Sequence, residues 1–415
     1  MYKLRNSKDL DAMLDHIGDR RIVMLGEASH GTHEFYTWRT AISKRLIAEK
    51  GFNFIAVEGD WPDCYGLNCF IKGHRSGLSA QAVLQGFDRW PTWMWANWEV
   101  AALGGWLLSH NDGLAEEKKI GFYGLDVYSL WDSMRAILDY LGKEHPDAVG
   151  PARQAISCFE PFEGNEQLYA RHALSDHSCR DKVLALLQQI RTGTPDDGPG
   201  REAVFNAEQN ALVAVNAETY YRSMMQFDNE SWNVRDTHMM QTLERLLDFH
   251  GNGSKAIVWA HNTHIGDARA TDMARAGMVN LGQLAREAYG INQVYLAGFG
   301  AFSGTVIAAT EWGETMKEMQ VPKARKNSIE EQLHHAAGED RYLLFPEDSE
   351  WEGTYDHRAI GVVYEPSREH YRNYVTSGMG RRYDAFFYFD KTRALHPLHL
   401  RPHTDKIPET YPFGV

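Results

Sequence analysis

Short, largely apolar runs recur along the chain, and ionisable residues directly follow the first four of them. These four runs cover residues 21–26, 54–57, 120–125 and 256–260. Because they are continuously apolar rather than alternating, they are typical of strands buried on both faces of a parallel sheet. Later runs cover residues 294–297, 305–308, 360–364 and 385–389. The pattern predicts an α/β fold with a mostly parallel central sheet.

Longer patterns with helical periodicity lie between these runs and predict helices that flank the sheet. They cover residues 33–50, 93–109, 130–141, 201–226 and 233–250. The last two are long enough to form an antiparallel helical pair, and the turn-rich residues 191–200 before them are typical of a mobile loop. We therefore predict a single domain over residues 1–415, with a helical insertion at approximately 142–253 that forms one wall of a cleft.

Composition and charge narrow the classes of partner. Of the 415 residues, 43% are hydrophobic, and the formal net charge is −13. Because the sequence contains no long run of basic residues, we do not expect nucleic acid to be a partner. The uncharged segment 291–310 contains polar residues and three glycines, so it predicts strand, loop and strand rather than a membrane span. The sequence carries no signal for the oligomeric state.

The N-terminus and the cysteines predict the compartment. The first residues contain no apolar core of the signal-peptide type, and the four cysteines form no CxxC pair. Scattered cysteines in a chain of this length are typical of free thiols in a reducing compartment. We therefore expect a cytoplasmic protein without structural zinc.

Ionisable residues follow the four early runs at the point where each predicted strand ends. They are Glu27 with His30, then Glu58, then Asp126, and finally His261 with His264. In open parallel sheets, ligands bind at the carboxyl ends of the strands. We therefore expect these side chains to converge on one rim.

The segment GEASHG, residues 26–31, contains the first of these sites. Gly26 and Gly31 permit a tight turn from strand to helix, and Arg39 lies two helical turns beyond His30. Ser29 is not an expected nucleophile, because a nucleophile elbow has the pattern G-x-S-x-G and the glycines here stand at −3 and +2.

The pair His261 and His264 leaves two kinds of chemistry open. Together with His30 and Glu58, the pair offers the nitrogen and oxygen ligands that suit zinc or similar ions. Alternatively, a histidine with a pKa near neutrality takes a proton from water while a carboxylate orients it, without any metal.

Two further features offer contacts to a substrate. Trp93 belongs to a cluster of five aromatic residues within residues 87–98, which either packs in the core or forms an apolar wall for a bulky ligand. Arg235 and His238 lie one helical turn apart and either face the cleft together, or Arg235 and Asp236 form structural salt bridges.

Several motifs, in this order and spacing, resemble the erythromycin esterase family, in particular its erythromycin-esterase-like branch, often labelled succinoglycan-biosynthesis. They are GEASHGTHEFYTWR, IAVEGDWPD, GFYGLDVYSL, WNVRDTHM, VWAHNTHIGDARAT, RAIGVVY and YDAFFYFD. The resemblance covers about residues 21–398. It implies an α/β fold with a deep cleft, and ring-opening hydrolysis of a macrolactone ester by activated water. Family members are usually described as metal-independent, although metal involvement has been argued for some.

The resemblance also implies roles for the residues that match its motifs. His30 would be the general base, Glu27 and Glu58 would orient it or the water, and Arg39 would position the substrate or carry charge. The opposite wall would hold His261 and His264, one of them acting as acid or oxyanion donor. A small residue is typical of the third place of the HNxH block, and Thr263 departs from it.

Three hypotheses follow from the sequence. The first is a metal-independent, cofactor-free esterase acting on a small-molecule ester, a macrolide or another bulky cyclic ester. The second is a metal-dependent hydrolase with His30, Glu58, His261 and His264 as ligands. The third is a non-enzymatic small-molecule binding protein, which is disfavoured because binding alone needs no such cluster of histidines and carboxylates.

Overall fold

The chain folds into two compact units in the computed structural model. The first contains Met1–Ala56, Gly66–Phe122 and the chain from Asn252 onward, and the second contains Val57–Tyr65 and Tyr123–Gly251. The structure describes residues 1–162, 165–173, 179–182, 184–185, 188, 200–224 and 229–399. The predicted loop at 191–200 lies outside the described residues except for Gly200. The single domain and its insertion at about 142–253 stay predictions.

The strands form one large sheet and one small sheet. Their bounds are β1 Tyr2–Lys3, β2 Ile22–Leu25, β3 Phe54–Asp60, β4 Gly121–Asp126, β5 Ala256–Trp259, β6 Val294–Ala308, β7 Lys317–Val321, β8 Arg341–Leu344, β9 Thr354–Arg358, β10 Tyr374–Gly378 and β11 Ala385–Thr392. The nine-stranded sheet has the order β1-β8-β11-β6-β2-β5-β3-β4, with β7 paired to β6. β9 and β10 form a separate antiparallel pair.

The centre of the large sheet is parallel. β2 pairs in parallel with both β5 and β6, and β6 pairs in parallel with β11. The antiparallel pairs β1–β8, β8–β11 and β6–β7 lie beside this centre. Every residue of β2 and β5 is buried, as their continuously apolar sequences require. The prediction of a mostly parallel sheet is confirmed.

Helices flank the sheet and make up most of the second unit. The α-helices are α1 Asp11–Ile17, α2 His33–Lys50, α3 Trp61–Ile71, α4 Ala80–Leu84, α5 Trp98–Asn111, α6 Leu130–Glu144, α7 Val149–Ile156, α8 Glu166–Ala173, α9 Arg201–Met224, α10 Glu230–Phe249, α11 Asn262–Ile265, α12 Leu281–Tyr289, α13 Ile329–Ala336, α14 Glu369–Arg372 and α15 Met379–Arg382. The 3-10 helices are Ser7–Leu10, Thr92–Met94, Glu116–Lys118, Pro146–Ala148, Glu160–Phe162, Ala268–Ala270, Asp272–Ala276, Ser349–Trp351 and Pro366–Arg368.

The prediction of strand, loop and strand at residues 291–310 is wrong, because β6 runs unbroken through this segment. Its glycines do not turn the chain. A side chain at Gly298 would meet the ring of Tyr383, and one at Gly300 would meet the ring of Phe386. These glycines therefore admit neighbouring rings against a continuous strand.

Two other predicted elements differ from the structure. Residues 360–364 form no strand, and instead Ile360 and Val363 make isolated bridges with Ser29 and Ala309. The helix predicted at 93–109 begins only at Trp98, because the side chain of Asn97 accepts a hydrogen bond from Val100 N–H and caps it there.

The second unit has its own apolar core. The helices α6, α7, α8 and α9 share one buried cluster that includes Met134, Ile156 and Ala211. Cys158 and Cys179 form a disulfide, whereas the sequence led us to expect only free thiols. Among the helices in the described ranges, none combines the length and the apolar character needed to cross a membrane.

Candidate active site

The turn that follows β2 depends on two glycines that lie against other backbone segments. Gly26 N–H donates to the carbonyl of Ala297 at 2.8 Å, and a Cβ at Gly26 would collide with the side-chain amide of Asn262. A Cβ at Gly31 would collide with the backbone of Ile307 in β6. The glycines therefore let β6 and α11 close on the turn that contains Glu27 and His30.

Gly26→Ala is expected to lower the free energy of unfolding by about 1–3 kcal/mol, the usual cost of forcing extra volume into a packed site. Urea denaturation of both proteins measures the change. Gly105→Ala is the matched control, because Gly105 lies within α5 and there is open space where the added Cβ would lie. That substitution favours the helix. Equal stability of the Gly26→Ala protein and the wild type would contradict this account of the turn.

Glu27, His30 and Arg39 form a buried chain of charged and polar groups. His30 Nδ1 lies 3.0 Å from Glu27 Oε1, and Arg39 Nη2 donates to Glu27 Oε2 at 2.8 Å. The guanidinium of Arg39 also lies over the rings of Tyr36 and Trp259, at 4.3 and 4.7 Å. Arg39 is fully buried. It therefore contacts Glu27 and the core, and its predicted role toward a substrate stays a prediction.

The contact with Glu27 selects one tautomer of His30. A carboxylate accepts hydrogen bonds and cannot donate one, so Nδ1 of His30 carries the proton. In the neutral ring, the lone pair is then at Nε2. The hydroxyl of Tyr36 donates a hydrogen bond to the backbone carbonyl of His30 and so stabilises the turn. This arrangement is the one that a histidine acting as a general base requires.

His261 lies beside His30, with 5.0 Å between the ring centroids. Its side chain accepts the backbone N–H of Thr263 at Nδ1 and so caps α11. In the neutral ring, the proton is therefore at Nε2. The two histidines consequently differ in their tautomers: His30 offers a lone pair at Nε2, and His261 offers an N–H there.

A buried network behind α11, which the sequence analysis missed, holds His261 in place. Asn262 donates to Phe299 O at 2.6 Å and to Nε2 of His357 at 3.1 Å, while His357 Nδ1 contacts Glu330 at 2.7 Å. Arg382 donates to the carbonyl of Asn262. Burial lowers the pKa of His357, more than its contact with Glu330 raises it. The asparagine of the HNxH block was the available signal, because a buried amide needs partners.

Glu58, Asp126 and Arg235 form a second cluster, within the second unit. Arg235 makes a bidentate contact with Asp126, from Nε at 3.0 Å and Nη2 at 2.7 Å, and Nη2 also lies 2.7 Å from Glu58. Burial raises the pKa of Asp126, but the guanidinium outweighs it and the pKa is lowered. The cluster therefore holds two carboxylates on one cation.

Tyr128 and His238 flank this second cluster. The guanidinium of Arg235 lies 4.8 Å above the ring of Tyr128, whose pKa burial raises well above its usual value. Burial lowers the pKa of His238 to about 4, and the amide of Asn216 lies 2.8 Å from its Nδ1. His238 is therefore neutral near pH 7.

Three further residues that the sequence analysis considered, Ser29, His264 and Trp93, are buried. The hydroxyl of Ser29 is hydrogen-bonded to that of Thr32, and only 3% of Ser29 is exposed. His264 lies in α11, and its backbone N–H donates to the carbonyl of His261. Trp93 is 1% exposed and packs edge-on against Trp90. The roles of His264 and Trp93 stay predictions.

The structure thus brings the predicted site residues together in two groups. Glu27, His30, Arg39 and His261 lie together in the first unit, whereas Glu58, Asp126, Arg235 and His238 lie together in the second. Their convergence on a single rim stays a prediction.

Comparison with known proteins identifies related sequences. A family model described as Erythromycin esterase matches residues 47–392, so Glu27, His30 and Arg39 precede the matched part. Erythromycin esterase type II of Escherichia coli is 23% identical over 373 residues, covering 83% of this chain and 85% of that protein. A Bacillus subtilis (strain 168) protein named "Putative hydrolase YbfO" is 21% identical over 400 residues, covering 90% and 84%.

Solved structures share the fold. A succinoglycan biosynthesis protein superposes with a TM-score of 0.78 at 21% identity, covering 95% of each chain. A mutant of the erythromycin esterase EreC, in its open conformation, superposes with a TM-score of 0.68 at 14% identity, covering 94% of this chain and 95% of that one. At these identities, the likeness establishes the α/β architecture.

Proposed function

The chain belongs to the erythromycin esterase family and is a hydrolase, and on this premise we propose that it cleaves a carboxylic ester. The proposed substrate class is the lactone of a macrolide-type or other bulky cyclic ester. The observation that carries the proposal is the contact of His30 with buried Glu27, which leaves the lone pair of the neutral ring at Nε2.

In the proposed reaction, His30 acts as the general base. Its Nε2 takes a proton from water as the water oxygen attacks the ester carbonyl carbon. Glu27 stabilises the resulting imidazolium by accepting from Nδ1, as a carboxylate does for the histidine of a catalytic triad. The tetrahedral intermediate then collapses, the carbon–oxygen bond to the alkoxide breaks, and the alkoxide takes up the proton. The product is one hydroxy acid when the ester is cyclic.

His261 and Arg39 support this reaction in different ways. The Nε2–H of His261 is the proposed donor to the carbonyl oxygen as negative charge develops on it. Arg39 is a positioning residue, because it contacts Glu27 and is itself fully buried. Glu58, as an orienting carboxylate, and Asp126, Arg235, His238 and Trp93, as substrate-binding residues, stay predictions.

A panel of macrolides and activated esters, incubated with the protein in heavy-oxygen water, tests the reaction. We expect mass spectrometry to show a gain of one water, with the heavy oxygen in the product carboxylate. Ser29→Ala, which removes a buried hydroxyl, should leave this labelling unchanged. Absence of any hydrolysed ester would overturn the proposed function, and a trapped acyl group on Ser29 would overturn the direct attack by water.

We further propose that no metal or other cofactor takes part in the hydrolysis. The proton transfers described above use the ring nitrogens of His30 and His261 and the carboxylate of Glu27. Exhaustive treatment with a chelator, followed by dialysis, is expected to leave kcat at the assay temperature unchanged. Loss of activity that Zn²⁺ or Mn²⁺ restores would overturn this proposal and favour the metal-dependent alternative with His30, Glu58, His261 and His264 as ligands.

A further inference from the structure

A second histidine of the first motif belongs to a different cluster. Nδ1 of His33 lies 2.6 Å from Glu99 Oε1, and Nδ1 of His396 lies 2.7 Å from the same oxygen. One ligand atom from each of the three residues lies within 4.8 Å of the others. His33 and Glu99 are buried, whereas the side chain of His396 is 40% exposed. The cluster is thus closed on the protein side and open to solvent at His396.

In this cluster, two histidines contact one carboxylate oxygen, and His33 has a further contact at its other ring nitrogen. Both Nδ1 atoms must be protonated to contact the one carboxylate oxygen. On the far side of His33, Nε2 lies 3.4 Å from the hydroxyl of Thr37, which itself donates to the carbonyl of His33. Because the hydroxyl hydrogen of Thr37 is used in that bond, its oxygen is left to accept a hydrogen bond from Nε2.

The same three groups can instead bind a divalent cation, because one ligand atom of each lies within 4.8 Å of the others. With the ion at Nδ1 of His33, the ring carries its single proton at Nε2 and donates it to Thr37. Metal-binding histidines commonly donate their second ring nitrogen to a neighbouring acceptor in this way.

Backbone hydrogen bonds hold the three ligands in place. His33 N–H donates to the carbonyl of Arg393 at 2.8 Å, and Leu395 N–H donates to the carbonyl of Gly31 at 3.0 Å. The backbone N–H of Trp98, the residue before Glu99, donates to the carbonyl of His396 at 3.0 Å. The segment 393–398 is thereby fastened both to the turn after β2 and to the start of α5. Such preorganisation lowers the cost of binding an ion.

We propose that His33, Glu99 and His396 bind one divalent transition-metal ion, with Zn²⁺ as the best fit to two imidazoles and one carboxylate. Tetrahedral bonds of about 2.0–2.1 Å place neighbouring ligand atoms roughly 3.3 Å apart, so the two histidine contacts with Glu99 open by less than about 1 Å. His396 is the ligand that moves, since it is partly exposed. Water supplies the fourth position from the solvent side. The ion fastens the segment 393–398 to the turn after β2 and lies outside the proton transfers of the hydrolysis.

Equilibrium dialysis of the chelator-treated full-length protein against ZnCl₂, followed by elemental analysis, tests the site. We expect one equivalent of zinc, with at least a tenfold loss of affinity in Glu99→Gln and in His396→Gln. His334→Gln is the matched control, because the Nδ1 of His334 also contacts a carboxylate, that of Asp390 at 2.6 Å, without a second histidine ligand. It should bind zinc as the wild type does.

Two further measurements distinguish loss of the metal site from unfolding of the variant, and metal binding from a role in the hydrolysis. Co²⁺ in place of Zn²⁺ is expected to give the visible absorption of a four-coordinate ion, and this absorption should be absent in His396→Gln. That variant removes a partly exposed side chain, so its folding is checked by circular dichroism. Zinc should raise the melting temperature of the wild type and leave kcat unchanged. No stoichiometric binding, or equal binding by folded His396→Gln, would overturn the proposal.

Discussion

His30→Asn is expected to lower kcat by about 10²- to 10⁴-fold, the range for loss of a general base. Asparagine keeps a polar side chain of similar size but has no basic nitrogen to accept a proton from water. Because Nδ1 contacts Glu27, the lone pair of the neutral ring is at Nε2, where a base needs it. Hydrolysis of an activated ester, followed at saturating substrate, measures the effect.

His334→Asn is the control for this substitution, because His334 also contacts a carboxylate through Nδ1 but is partly exposed and lies outside the proposed site. We expect its kcat to match that of the wild type. Circular dichroism and urea denaturation establish that both variants are folded. A folded His30→Asn protein with near-normal kcat would show that another group activates the water.

Arg235→Met is expected to lower the free energy of unfolding by about 3–5 kcal/mol, because it leaves the carboxylates of Glu58 and Asp126 without the cation that holds them. Methionine keeps much of the arginine volume and removes only the charged head. Urea denaturation monitored by circular dichroism measures the change. A loss below about 1 kcal/mol, the range of exposed pairs, would show that Arg235 does not compensate these charges.

The pH dependence distinguishes charge from packing in this variant. In the wild type the pKa of Asp126 is lowered, so its contribution to stability is present above the unfolded pKa of about 3.9 and is lost only as the pH falls through the folded value. Without Arg235, burial and Glu58 raise that pKa. Acidification from pH 7 towards pH 5 should therefore narrow the difference between the variant and the wild type. A difference that stays constant over this range would indicate lost packing.

Arg245→Met is the matched control, since Arg245 lies on the same helix α10 and pairs with Glu208. Both of its partners are about one quarter exposed. Water screens such a pair, and the expected loss is about 1 kcal/mol or less, without a comparable change on acidification.

The sequence was sufficient for the elements whose signals are local. Helix α2 has the predicted bounds, residues 33–50, because a polar turn precedes it and Gly51 ends it in a left-handed conformation. The buried strands β2 and β5 were equally clear, because a continuously apolar run has few alternatives between polar turns. The tight turn at Gly26 and the contact of His30 with Glu27 also follow from one short segment.

The missed features depend on contacts that are distant in sequence. The glycines of β6 suggested a loop, whereas Gly298 and Gly300 lie against the rings of Tyr383 and Phe386, and Gly304 lies against Thr392. The cluster of His33 and His396 on Glu99 joins three segments, and no local pattern marks its members as partners. The same reason applies to Asn262 and His357, which are 95 residues apart in the chain.

The segment 393–398 also determines when, during synthesis, the turn that contains Glu27 and His30 can acquire all of its contacts. Arg393 N–H donates to Glu34, 359 residues earlier in the chain. At ~5–20 residues per second, the ribosome needs roughly 20–70 s to cover that distance. Throughout this interval, the turn with Glu27 and His30 has been synthesised but lacks the segment whose Leu395 N–H donates to the carbonyl of Gly31. The turn that contains the proposed general base is therefore translated early and completed late, once residues 393–398 have been made.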